Sequence, residues 1–138
     1  HIGFWFKDSG VLFSGDVLYP MGCGRLFEGT AEQMWNALLK IRALPPDTKV
    51  YCAHEYAERN YKFARGLDRD NAALKARGEM FRNQLQAGGI GVPFTLGDEL
   101  ATNPFLRADD PAFQKQIGMA GKSPIEVFAE LRRRRDET

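Results

Sequence analysis

Two residues could do chemistry together. A carboxylate at Asp16 and an imidazole at His54 each follow a stretch with strand character, the position at which open α/β sheets carry their ligands. Oxygen and nitrogen donors of this kind suit a borderline divalent metal. Taken alone, however, an Asp after a strand is more often a turn or cap residue, and a lone His is more often structural. Gly22-Cys23-Gly24-Arg25 could hold an anion on backbone N–H groups, but it matches neither a P-loop nor a dinucleotide fingerprint, and a plain loop is the simpler reading. Arg132-Arg133-Arg134-Arg135 invites a nucleic-acid reading. Cations at a helix C-terminus are stabilised by the dipole, though, and such a quartet is normally a solvated end. Cys23 has no histidine partner at motif level and is a poor candidate nucleophile.

These side chains need elements to place them. Gly3 to Lys7 and Val11 to Gly15, around Asp8-Ser9-Gly10, predict a hairpin that ends at Asp16. Tyr19 to Gly29 carries Pro20 and several glycines and predicts an irregular loop. Thr30 and Gln33 have the spacing of a capping box. They open a helix whose Met34, Leu38 and Ile41 form one buried face and which Pro45-Pro46 stops. Thr48 to Ala53 predicts a strand that delivers His54. Beyond it, Glu55 to Leu67 and Asn71 to Ala87 predict two helices, the second ended by Gly88-Gly89. Ile90 to Thr95 is an extended connector. Asp110-Pro111 and Ser123-Pro124-Ile125-Glu126 start two more helices, the last with Val127, Phe128 and Leu131 inward. The expected division is a strand–helix–strand part at 1–54 and a helical part at 55–138.

Composition limits the classes of function. The 138 residues are 43% hydrophobic and 27% charged with a formal net charge of +1. That excludes a disordered chain and removes any global field that would recruit nucleic acid or a membrane. No apolar run approaches the roughly 18 residues of a membrane span. The two cysteines, Cys23 and Cys52, are expected to be free thiols in a reducing compartment, hence a soluble, cytoplasmic protein. With no methionine before Met21, the chain reads as a processed or truncated product.

Taken in order, five motifs point to one family. They are Leu12-Phe13-Ser14-Gly15-Asp16, Gly22-Cys23-Gly24-Arg25, Phe27-Glu28-Gly29-Thr30-Ala31-Glu32-Gln33-Met34, Val50-Tyr51-Cys52-Ala53-His54-Glu55-Tyr56 with Asn60 and Phe63-Ala64, and Asn103-Pro104-Phe105-Leu106-Arg107. The chain closely resembles the hydroxyacylglutathione hydrolases, glyoxalase II, of the metallo-β-lactamase superfamily. The resemblance covers essentially the whole chain. It implies an α/β fold, namely the C-terminal part of an αββα sandwich followed by an α-helical domain. It also implies two divalent metals, most often zinc, with iron or manganese possible.

By the same resemblance, Asp16 bridges both metals and His54 ligates the second, with Ala53 in place of a usual glycine. Arg25 stands near the glutathione backbone, Tyr56 contacts it, and Phe27 replaces a tyrosine found in some members. Arg132 and Arg135 match two basic residues that hold the glycine carboxylate, and at i and i+3 they share a helix face. The implied reaction is hydrolysis of an S-(2-hydroxyacyl)glutathione to glutathione and a 2-hydroxy acid, D-lactate in the usual case, which detoxifies methylglyoxal. The family's upstream His-x-His-x-Asp-His motif has no counterpart here. His1 aligns with a histidine that is not a ligand, so two of seven ligand positions remain and the chain alone is expected to be inactive. Loss of the N-terminal sheet would also expose the Phe4, Phe6 and Leu12 strands unless another segment or a second chain covers them. The competing expectation is a non-catalytic glutathione-binding or interaction module.

Overall fold

A computed structural model describes residues 2–138; His1 lies outside the described residues. The first hairpin forms as expected, with β1 (Phe4–Phe6) antiparallel to β2 (Val11–Gly15). The turn between them is a 3-10 turn, Lys7–Ser9, closed by Gly10 at φ 64°, a conformation in which a side chain would be strained.

The Tyr19 to Gly29 segment is more ordered than a loop. Two short strands, β3 (Leu18–Tyr19) and β4 (Gly22–Cys23), pair antiparallel around Pro20-Met21, with Met21 at φ 57°. Two-residue strands carry no periodicity, which is why the sequence shows only the glycines. Next, α1 (Ala31–Arg42) begins at a complete capping box. Thr30 Oγ1 accepts from Gln33 N–H, and the Gln33 side chain accepts from Thr30 N–H. The buried face of α1 is Met34, Trp35 and Leu38, whereas Ile41 is only half-buried. The chain then enters β5 (Lys49–Cys52), which lies parallel to β2. The path β2, α1, β5 is therefore a crossover that sets two strands' C-terminal ends side by side.

Helices α2 (Ala57–Leu67) and α3 (Ala72–Gln86) follow, with Asn71 capping α3 through Leu74 N–H. The Ile90 to Thr95 connector then returns to the sheet. Its end, β6 (Phe94–Thr95), pairs antiparallel with β5, giving the order β1-β2-β5-β6. One sheet thus takes strands from both sides of residue 54. Helix α4 (Leu96–Thr102), which the sequence reading missed, starts at once, capped by Thr95. Helices α5 (Pro111–Gln116) and α6 (Pro124–Asp136) start where Asp110 and Ser123 cap them, and α6 has a full capping box with Glu126.

The core is an aromatic relay. Phe63 of α2 stacks on Phe105 (6.0 Å between ring centres), Phe105 meets Phe128 of α6 edge-on (5.8 Å), and Phe128 reaches Trp35 of α1 (6.3 Å). Burial of these rings fastens α6 to α1 and, through Phe105, to α2.

The expected exposure of Phe4, Phe6 and Leu12 needs correcting. Cross-strand partners share a face, so Trp5 and Leu12 point to the core and Leu12 is buried. Phe4 and Phe6 lie on the opposite face with Phe13, where Phe13 meets Phe6 at 5.8 Å and stacks on Tyr51 at 5.3 Å. That face is an exposed aromatic strip.

Candidate functional site

Parallel pairing of β2 and β5 brings Asp16 and His54 together. The register runs Val11↔Lys49 to Phe13↔Tyr51 and then slips to Gly15↔Cys52, a bulge that re-aims the residues after it. Gly15 sits at φ 54°, and its carbonyl accepts from Ala53 N–H at 3.0 Å. His54 Nε2 then stands 3.4 Å from Asp16 Oδ1, both side chains about half exposed. The Tyr19 hydroxyl donates to the same oxygen. Burial, and then the Asp16 carboxylate, hold that phenol well above its ordinary range. The Tyr19 ring meets Tyr56 edge-on at 5.0 Å.

The spacing fits a metal. Two ligands of one zinc ion, each at about 2.0–2.1 Å, stand about 3.3 Å apart at the tetrahedral angle, and the carboxylate–imidazole pair matches both that distance and the donor chemistry. It supplies two donors only. Among the described residues no group of three or more His, Cys, Asp or Glu side chains is placed to hold an ion.

The pair opens onto a pocket of about 280 Å³ whose lining includes Asp16, Arg25, Phe27, His54, Tyr56, Arg132 and Arg135, together with Tyr19, Arg59 and Asn60. All seven side chains singled out in the sequence therefore meet in one place. Tyr19 and Arg59 were not foreseen. Tyr19 lies in a segment that looked irregular, but Arg59 and Asn60 follow Tyr56 by three and four residues, a helical spacing that places them on its face.

The arginine quartet is not a solvated end. Arg132 is 5% exposed and Arg135 8%, because α6 packs its inner face against the core. Arg132 Nη1 donates to Cys23 O at 2.8 Å and Gly24 O at 3.4 Å, while Nη2 and Nε donate to Asp136 Oδ1 at 2.8 and 3.1 Å. The Arg132 guanidinium also lies 5.2 Å from the centre of the Phe105 ring, a favourable cation–π placement. Arg25 approaches the same Asp136 oxygen at 3.9 Å. Arg135 is held differently, by Asn60 Oδ1 and Thr138 Oγ1, each at 3.3 Å. Burial, then the nearby Arg132, Arg59 and Arg25 charges, hold Arg135 below its ordinary range. Arg133 and Arg134 turn outward and pair with Glu130.

The Gly22 to Arg25 loop faces this end with carbonyls rather than with N–H groups, and the Gly24 N–H is taken by Val17 O at 3.2 Å. It is therefore a seat for Arg132, not an anion cradle. Gly22 is required there, since a Cβ would lie 2.3 Å from Asn60 Nδ2. Asn60 Nδ2 in turn donates to Pro20 O at 3.1 Å. The Cys23 thiol is buried and in no disulfide, and burial, opposed by Arg132, pushes it up to about 12, the opposite of an activated nucleophile.

Comparison with known proteins gives the site a context. Residues 55–138 match the family model described as "Hydroxyacylglutathione hydrolase C-terminus", and residues 1–54 match "Metallo-beta-lactamase superfamily". Proteins named hydroxyacylglutathione hydrolase from Methylococcus capsulatus and Rhodospirillum rubrum are each 52% identical over 136 residues, which is 99% of this chain and 53% of theirs. One from Rhodopseudomonas palustris is 49% identical over 138 residues, 100% of this chain and 54% of its own. The chain spans about half the length of the curated relatives it matches.

Proposed function

Because the chain belongs to the hydroxyacylglutathione hydrolase family, within the metallo-β-lactamase superfamily, we propose that it supplies the glutathione-binding part and one edge of the metal site of a thioesterase. The substrate is an S-(2-hydroxyacyl)glutathione such as lactoylglutathione. The observation that carries this reading is a single pocket with Asp16 and His54 at one end and arginines at the other. A binding module without turnover would have no use for the first end.

Asp16 and His54 would hold divalent metal, with zinc favoured by their donor types and iron or manganese accommodated by the same ligands. When bound, such ions acidify water and polarise a carbonyl. This chain's own residues position the substrate. Arg135, with Arg132 and Arg25 behind it, receives the glycine carboxylate, and Tyr56 and Phe27 flank the peptide. The Tyr19 hydroxyl fixes the orientation of Asp16. Binding energy from the arginine end sets the thioester carbon opposite the Asp16–His54 pair. Water adds its oxygen to the acyl carbon, the C–S bond breaks, and the thiolate of glutathione takes the proton. The acyl group leaves as the 2-hydroxy acid.

The other ligands are assigned to the half of the relatives that this chain does not span. The same half, or a second chain, would cover the Phe4, Phe6 and Phe13 strip. Among the described residues no helix is long and apolar enough to cross a membrane, and the two unpaired thiols support a cytoplasmic setting.

Calorimetric titration of the chain with S-methylglutathione tests the reading. One saturable site is expected, weakened at least about tenfold by Arg135→Met. Absence of saturable binding would overturn it. Lactoylglutathione should not be hydrolysed by the chain alone, and turnover with metal present would refute the assignment of ligands to the other half.

A further inference from the structure

The arginine end of the pocket carries more positive charge than one carboxylate needs. Arg25 and Arg132 share Asp136. Arg135 and Arg59 have no carboxylate partner among the described residues, and the acidic neighbour of Arg59 on α2, Glu58, is paired with Lys62 at 3.2 Å. Arg59 nevertheless lines the same pocket, and its charge reaches Arg135. Two guanidinium groups that line one pocket repel each other, and a ligand that brings an anion to each relieves that repulsion.

The two cations differ in setting. Arg135 is 8% exposed, and Arg59, in the first turn of α2, is open to solvent. A glutathione thioester has two carboxylates of different kinds. The glycyl carboxylate has no cation beside it and gains most from a buried guanidinium. The γ-glutamyl carboxylate sits next to its own ammonium, and burying that zwitterion would cost its hydration, so it belongs at a wet rim. Resting on the glutathione reading above, we propose that Arg59 receives the γ-glutamyl carboxylate and sets the preference for γ-glutamyl ligands over shorter ones.

The test compares two probes, S-methylglutathione and S-methylcysteinylglycine, which lacks the γ-glutamyl group. Both are titrated calorimetrically into the wild-type chain, Arg59→Gln and Arg59→Lys at physiological salt, where general charge effects are screened. Arg59→Gln should weaken S-methylglutathione about fivefold, leave the dipeptide within about twofold, and be largely rescued in Arg59→Lys. Equal weakening of both probes, or no weakening of either, would overturn the assignment. A wild-type chain that binds neither probe would overturn the glutathione reading itself, and this assignment with it. A chain that binds the dipeptide as tightly as S-methylglutathione would overturn only the role given to Arg59.

Discussion

The two ends of the pocket are built in different ways. At the arginine end, Arg132 is almost fully buried and four of its hydrogen bonds run to Cys23, Gly24 and Asp136. It ties the last helix to a loop more than a hundred residues earlier. At the other end, Asp16 and His54 are about half exposed; Asp16 is met by His54 and the Tyr19 hydroxyl, and the His54 ring lies beside the rings of Tyr19 and Tyr56. The first end is part of what holds the chain folded and is preorganised whether or not a ligand is present. The second consists of two half-exposed donors placed by strand ends, with the Tyr19 hydroxyl on Asp16 as the one side-chain hydrogen bond that orients either of them among the described residues. One pocket therefore joins a cluster of buried, hydrogen-bonded arginines to a pair of metal-type donors that the fold only places.

The largest expected effect comes from the turn that joins the two ends. Glu99, wholly buried, pairs with buried Arg77 and accepts from Met21 N–H at 3.0 Å and Asn103 Nδ2 at 2.8 Å. Asn103 Nδ2 also donates to Gly22 O at 3.0 Å. Burial pushes the Glu99 carboxyl up, opposed by Arg77, Asn103 and the Met21 amide. Glu99→Gln leaves Arg77 buried between Phe81 and Phe94 without a counter-ion, a loss of about 3–5 kcal/mol. Urea unfolding measures it, and a loss below about 1 kcal/mol would show that the β3–β4 turn is held by something else. Next comes Arg132→Met. Two loop carbonyls lose their donor and Asp136 keeps only the long Arg25 contact, so stability should fall by about 2 kcal/mol along with S-methylglutathione affinity. Loss of affinity without loss of stability would make the arginine end a surface site like the other.

Legibility followed the range of each interaction. Thr30 with Gln33 and Ser123 with Glu126 are contacts across three residues, and both capping boxes could be read directly. The first hairpin and the helices after Asn71 and Asp110 are equally local. In contrast, β6 exists because Phe94 and Thr95 meet Val50 and Lys49, some forty-five residues away, and nothing near Pro93 announces that pairing. The burial of Arg132 and Arg135 is hidden for the same reason, since a run of four arginines looks solvated until α6 is set against Phe105. Asp16 and His54 were visible as residues that follow strands, but their proximity depends on β2 and β5 being parallel. Arg59 lay within reach through its helical spacing from Tyr56.

The smallest expected effect is the sharpest check on the contrast between the two ends. If the chemical end is only placed, and not built, by folding, Asp16→Asn combined with His54→Gln should change the unfolding free energy by no more than about 0.5 kcal/mol. The asparagine Oδ1 can still accept from the Tyr19 hydroxyl. The half-exposed glutamine leaves no buried group without a partner. Binding of S-methylglutathione should also hold, since the arginine end is untouched. A loss of more than about 1 kcal/mol would mean that the Asp16–His54 contact stabilises the strand ends themselves. The Asp16–His54 pair would then be part of the folded framework, and the contrast between the two ends would fail.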